Sequence, residues 1–260
     1  MNTKHLLFTA IGGYLLFLVI LVPAASIVSW LNLPPQTISL SGVSGSLWSG
    51  TIDNAVINQH KLQSTEWSLK PFSLFTARLA ADLKSHYESI PVSSGVNYSL
   101  LSHSLSLTNL HSTIPAETLQ QTLNIPLGQL AGTIQVTLPD VELISGKLPL
   151  VNGSIVWNNA KLTLADTISF GQIQLALASN AAGDLSAQLS NQQGELNIQG
   201  DINILANQRY SLNIKLTPRA NASTELLSIL SLIAPRKIKA DHIIQRNGHL
   251  RDLGYTAIAL

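Results

Sequence analysis

The sequence predicts a mainly β protein, in which one N-terminal transmembrane helix precedes a largely antiparallel β sheet with two short helices. Three observations predict it. From residue 36 onward, apolar and polar residues alternate with a period of two, the pattern of strands with one buried face. Only 11% of residues are charged and 45% are hydrophobic. Ser, Thr, Asn and Gln therefore supply the polar surface in place of the Glu, Lys and Arg that helix faces favour. Third, residues 6–22 read LLFTAIGGYLLFLVILV without a single charge.

That apolar run continues through Ala24, Ala25, Ile27 and Val28, which makes residues 6–28 long enough for a membrane-spanning helix, for which about 20 apolar residues suffice. Residues 1–5 form a short tail, and Lys4 with the amino terminus keeps that tail in the cytoplasm by the positive-inside rule. Trp30 suits the far membrane interface. Asn32, Pro34 and Pro35 end the helix and open a linker over residues 29–36. A cleavable signal ending near Val22, Pro23, Ala24 and Ala25 is the competing reading. The apolar run exceeds the usual signal core of roughly 7–15 residues, which favours an uncleaved anchor. Both readings place residues 37–260 outside the cytoplasm, and the uncleaved anchor makes the chain a single-pass membrane protein.

Strands are expected in residues 36–41 (QTISLS), 96–107 (VNYSLLSHSLSL), 132–138 (GTIQVTL), 171–178 (GQIQLALA), 185–198 (LSAQLSNQQGELNI) and 210–216 (YSLNIKL). Asn152-Gly153, Gly183-Asp184 and Gln193-Gly194 mark hairpin tips or bends between them. Residues 115–123 (PAETLQQTL) read as a helix with Pro115 at its favoured first position. Residues 223–234 (STELLSILSLIA) read as a second helix, capped by Ser223 and stopped before Pro235. The end of the chain, GYTAIAL over 254–260, reads as an edge strand. A loose internal echo links GSLW at 45–48 with GSIVW at 153–157, and WSLKP at 67–71 with IKLTP at 214–218. It suggests two similar halves meeting near residues 140–152.

Charge and chemistry exclude several classes of function. The net charge is +1, without the basic field that nucleic acid requires. Cysteine is absent, which removes disulfides, thiolate metal sites and cysteine nucleophiles. No His pair has zinc-helix spacing, although His103 and His111 could approach each other across a hairpin. The glycine-rich GVSGS at 42–46 is neither a nucleophile elbow nor a phosphate loop. No catalytic constellation and no cofactor site is expected. A basic cluster, Arg236, Lys237 and Lys239, is a candidate contact for an acidic partner or for lipid headgroups.

One motif is more specific. Gly45, Leu47, Trp48, Ser49 and Gly50 form G-x-L-W-S-G, and Trp67, Leu69 and Pro71 form W-x-L-x-P. Gly45 and Gly50 are read as bracketing a strand on which Leu47 and Trp48 point to opposite faces. The two tryptophans are candidates for either core packing or a partner groove. Together with the tail, span and proline-rich junction, these residues resemble the type II secretion system protein N family. Gly153, Trp157, Gly194, Gly200, Tyr210 and Pro218 extend the resemblance more loosely. Ala77-Arg78-Leu79 departs from a Gly-Arg-Leu run. The resemblance, and a more distant one to AsmA-like envelope proteins, implies a curved sheet forming an open trough or half-barrel with an apolar concave face. It further implies a non-enzymatic component that helps assemble or steady the secretion apparatus. Its partners would be the inner-membrane platform and outer-membrane secretin components. The AsmA likeness implies the alternative of a lipid-binding or carrier module, with phospholipid as its ligand.

Overall fold

The computed structural model describes residues 21–30, 38–57, 60–87, 90–122, 128–164, 166–234 and 237–253. The chain divides into two compact units at Leu101/Ser102. This division does not coincide with residues 140–152, which lie around a hairpin inside the second unit.

Unit 1 begins with a short helix, α1 (Ala24–Trp30), that packs on the first strand. Five strands follow: β1 (Ile38–Gly45), β2 (Ser49–Ile57), β3 (His60–Leu69), β4 (Arg78–Tyr87) and β5 (Ile90–Ser99). Each pairs antiparallel with the next in chain order, as alternating sequence with tight turns requires. A 3₁₀ turn, Pro71–Thr76, joins β3 to β4. Among the described residues, unit 1 fully buries only Ala24, Ala55, Ala80 and Ile90 of its hydrophobics. Its larger apolar side chains, Leu62, Trp67, Leu69 and Leu83, stay half-buried.

Unit 2 contains β6 (Ser104–Pro115), α2 (Ala116–Thr122), β7 (Gln129–Leu143), β8 (Leu150–Thr163), β9 (Thr167–Ser179), β10 (Leu185–Gln192), β11 (Leu196–Ile204), β12 (Arg209–Pro218), α3 (Thr224–Ile233), β13 (Lys237–Ile238) and β14 (Asp241–His249). All pairs are antiparallel, and the spatial order follows the chain except that β14 pairs β12 and leaves β13 at the edge. The first and last strands of each unit stay unpaired with one another among the described residues, so the strands of neither unit close into a barrel. The core is where α3 covers one end of the sheet. Leu226, Leu230 and Ala234 pack there on Ile168, Leu196, Ile198 and Leu216. On the same face beyond the helix, Leu175, Leu177, Ile202 and Leu212 remain half-buried.

Both helices form where the sequence places them, Pro115 closing β6 directly before α2. The Ser223 side chain accepts a hydrogen bond from the Leu226 N–H at 3.3 Å, the expected cap. Several expectations shift. Residues 96–107 are two strands separated by a turn at 100–103, and 185–198 are two strands that turn at Gln193-Gly194. Asn152-Gly153 is no hairpin tip: Gly153 lies inside β8 with φ +144°. It faces the register shift between Thr137 and Asp140 in β7, so it serves a bulge. His103 and His111 lie along one turn-and-strand segment rather than facing each other across a hairpin.

The expected span at 6–28 falls, through residue 20, outside the described residues, as do the linker residues 31–36 and the terminal 254–260. No helix among the described residues is long and apolar enough to cross a membrane. Helix does not run unbroken to residue 28. Pro23 instead bridges Ser46, and the Val22 carbonyl accepts from the Leu47 N–H at 2.9 Å. Proline lacks an N–H and disfavours helical geometry at the residue before it, which accounts for the break.

Candidate functional site: a tryptophan-fastened turn

The two halves of the sequence motif meet in space. Gly45 and Gly50 are register partners on β1 and β2, so they bracket a turn over residues 46–48 rather than a strand. Leu47 and Trp48 accordingly sit in the bend, both half-buried, instead of alternating across a sheet. Gly45 makes the turn possible with φ +96°, a conformation that costs side-chain-bearing residues energy. Ser46 holds it closed, since its Oγ accepts from the N–H groups of Trp48 at 3.2 Å and Ser49 at 3.3 Å.

Trp67 on β3 pairs with Gly50 and lays its ring over it. A Cβ at Gly50 would come within 2.5 Å of the Trp67 ring and would also collide with the Ser44 carbonyl oxygen. The indole Nε1–H donates to the Leu47 carbonyl at 3.2 Å. Beside it, the Leu69 N–H donates to the Trp48 carbonyl at 2.6 Å. Pro71 then starts the 3₁₀ turn, which ends on Ala77 in the left-handed region. The Lys70 ammonium pairs with the Asp82 carboxylate at 2.7 Å. Every motif position thus has a local structural task.

Unit 2 repeats the device. The Trp157 indole donates to the Ala131 carbonyl at 3.1 Å, next to Gly132 with φ +109°, where a Cβ would strike the Trp157 Nε1. The structural counterpart of Trp157 is therefore Trp67, whereas the sequence echo aligned Trp157 with Trp48.

The basic cluster is dispersed. Arg236 lies outside the described residues. Lys237 is the first residue of β13, and Lys239 is exposed in the following turn with φ +58°. Near Lys239 lies a carboxylate: Asp241 accepts from Lys215 at 2.7 Å and from the Thr217 hydroxyl at 2.6 Å. Lys215, then Thr217, and more weakly the charge of Lys239 hold the Asp241 carboxyl below its usual range.

Three polar residues that sequence reading missed anchor unit 2. Asn191 is buried and fully satisfied. Its Nδ2 donates to the carbonyls of Leu196 at 2.7 Å, Phe170 at 2.8 Å and Gln193 at 3.3 Å, and its Oδ1 accepts from the Ile198 N–H at 2.7 Å. Glu195 accepts from the N–H groups of Ser169 at 3.0 Å and Ser223 at 2.9 Å, linking β9 to the start of α3. Burial works against its ionisation, yet the bonds from Ser169 and Ser223 outweigh burial and lower its carboxyl below the usual value. His242, 2% exposed, lies 2.7 Å from the Ala234 carbonyl through Nδ1. A carbonyl only accepts, so Nδ1 carries the proton. These are turn- and helix-anchoring roles, and only the Gln193-Gly194 turn signal hinted at the first two.

Among the described residues, no group of three or more His, Cys, Asp or Glu could hold a metal. Two shallow concavities lie on unit 2. One of about 290 Å³ is lined by residues such as Asn180, Asp184 and Leu205, and one of about 450 Å³ by residues such as Gln174, Gln188 and Asp201. Asp184 is held by the Asn180 amide and the Ala206 N–H, which keep its carboxyl below the usual range and commit it to the turn.

Comparison with known proteins agrees with the motif. The family described as type II secretion system protein N matches residues 36–242, from just before β1 into β14. The chain belongs to that family. A curated relative, the type II secretion system protein N of Aeromonas hydrophila, is 25% identical over 221 residues, covering 79% of this chain and 82% of the relative. No solved structure matches. The protein N match takes in the turn fastened by Trp67, the Trp157 contact at the β7 bulge and the α3 core, whereas residues 6–28 lie outside it.

Proposed function

We propose that this protein is a non-enzymatic component of the type II secretion machinery, anchored in the inner membrane through the uncharged run of residues 6–22. Its β domain works in the periplasm and aids assembly or stability of the apparatus. The observation that carries the reading is the family match over residues 36–242, to which the uncharged run over 6–22 supplies the anchor. Partners are the inner-membrane platform and the outer-membrane secretin components. The test combines deletion of the gene with photocrosslinking at exposed Ser49 and Lys239, which leaves the fastening contacts of Trp67 intact. Loss of exported enzymes together with crosslinks to machinery components is expected. Unchanged export and an unchanged assembled machine would sink the proposal.

A second reading is favoured by one observation, the uncovered apolar stretch of Leu175, Leu177, Ile202 and Leu212 beyond α3. A contiguous apolar face of this kind marks a binding surface, and an acyl chain fits it chemically. In this reading the protein is a lipid-binding or lipid-carrier module. Phospholipid identified by mass spectrometry after gentle extraction is the expected result, and a lipid-free preparation would remove the reading.

A further inference from the structure

Two turns of unit 1 and its last residues, Leu100 and Leu101, lie at the same end of its strands, and hydrogen bonds tie them into a row. The Leu47 N–H donates to the Val22 carbonyl at 2.9 Å, the Leu69 N–H to the Trp48 carbonyl at 2.6 Å, and the Leu100 N–H to the Ala77 carbonyl at 3.0 Å. At about 4.8 Å per strand, the row extends roughly 20 Å from β1 to β5. It displays large apolar side chains to solvent. Phe72 is 82% exposed, Phe75 88% and Leu101 82%, with Leu21, Leu74 and Leu100 about half exposed. The opposite arrangement, with aromatic rings turned inward, is what a domain surrounded only by water adopts.

The row has one further property. Val22, directly before Pro23 at the end of the apolar stretch LLFTAIGGYLLFLVILV, is fastened into it by the bond from Leu47. The exposed phenylalanines therefore cluster at the end of unit 1 where the apolar segment arrives. The exposed Arg78 follows the 3₁₀ turn at the start of β4 and supplies a positive charge beside it for anionic headgroups. Rings carried on turn tips, outside any groove, suit insertion into a soft apolar layer better than docking into a shaped protein pocket.

We propose that this end of unit 1 seats in the headgroup and acyl boundary of the membrane that residues 6–22 enter, with Phe72, Phe75 and Leu101 as its points of insertion. The inference rests on the reading of residues 6–22 as the membrane anchor and adds a second, separate contact with the same bilayer.

The chain has no cysteine, so single-cysteine variants of the full-length protein give unambiguous labels. Phe72→Cys, Phe75→Cys and Leu101→Cys carry an environment-sensitive fluorophore in phosphatidylethanolamine–phosphatidylglycerol vesicles. Lys61→Cys, exposed on β3 near its opposite end, reports on a position away from the membrane, and Leu16→Cys reports on the span. Quenching by nitroxide on the lipid acyl chain is compared with quenching by aqueous iodide. The expected result is several-fold stronger lipid quenching, and weaker iodide quenching, at 72, 75 and 101 than at 61. If 16 is lipid-quenched while 72, 75 and 101 behave like 61, the span stands and the seating is overturned. Labels at 72, 75 and 101 shielded from both quenchers mean that a protein surface covers them, which also overturns it. If 16 is itself reached by iodide, the span reading fails and the seating fails with it.

Discussion

The indole N–H of Trp67 donates to the carbonyl of Leu47 across 3.2 Å while its ring covers Gly50, so that one side chain on β3 closes the turn between β1 and β2. Three substitutions separate the components of this arrangement. Trp67→Phe keeps a ring but removes the donor, and costs about 1 kcal/mol, the net worth of one hydrogen bond. Trp67→Ala removes the ring as well and costs about 3 kcal/mol, the low end for aromatic truncation because the residue is only half-buried. Gly50→Ala drives a methyl into the ring and the Ser44 carbonyl and costs about 2 kcal/mol through overpacking. Denaturant unfolding of the detergent-solubilised protein measures all three. Equal effects from Trp67→Phe and Trp67→Ala would mean that the ring contact contributes nothing.

The sequence made much of this visible, but not how its parts meet. Alternation identified strands, the Gln193-Gly194 pair identified a turn, and Ser223 identified a helix start, because each is a local property of a few consecutive residues. The contact between Trp67 and Leu47 joins positions 20 apart, and it turns a presumed strand at 45–50 into a hairpin bend. Nothing in GSLWSG distinguishes the two, since a glycine serves equally in a strand that needs close approach and in a turn that needs positive φ. The same limit hid the role of Gly153, whose bulge depends on register with β7. It also hid the division of 96–107 at Leu100-Leu101, where neither residue is a turn former.

Asn191 supplies a second prediction. Its amide satisfies three carbonyls and one N–H at the β10–β11 turn while itself 9% exposed. Asn191→Leu keeps the branched shape and the number of side-chain heavy atoms but strands these backbone groups away from water. A buried unsatisfied group costs about 1–3 kcal/mol, and relaxation recovers part of the sum, so a loss of about 3 kcal/mol is expected. Amide exchange at Ile198, whose N–H loses its acceptor, should accelerate. A change below a tenth of that in stability, with unaltered exchange, would show that water replaces the side chain.

Glu195 makes stability depend on pH. Its folded carboxyl ionises below the ordinary value of 4.5, because the bonds from Ser169 and Ser223 outweigh the opposing effect of burial. A depressed carboxyl stabilises the fold fully above its unfolded value, and that contribution is lost as pH falls through the folded value. The unfolding temperature should therefore decline as pH drops below 4.5, and Glu195→Gln, which has no charge to lose, should show a shallower decline. Asp184 and Asp241 are lowered in the same direction and contribute to the slope that remains. Parallel curves for the two proteins would show that Glu195 titrates alike in the folded and unfolded chains.

The uncovered face of unit 2 separates the roles of scaffold and lipid module. Leu230, 1% exposed on the sheet-facing side of α3, is core, and Leu230→Ala should cost about 2–5 kcal/mol by opening a cavity. Leu177 and Ile202 belong to the same sheet face, linked through Ala187, which pairs with both, but they lie beyond the helix and are only half-buried. A polar side chain there keeps access to water, so Leu177→Gln and Ile202→Gln should cost about 1 kcal/mol or less, since only part of the apolar area is withdrawn from solvent. Their effect on ligand is a different matter. An acyl chain lying on this face would lose apolar contact at its centre, and co-purified phospholipid should fall several-fold in the double variant while the unfolding temperature hardly moves. If phospholipid stays constant and export of secreted enzymes falls instead, the face contacts a component of the machinery, and its half-buried leucines serve assembly.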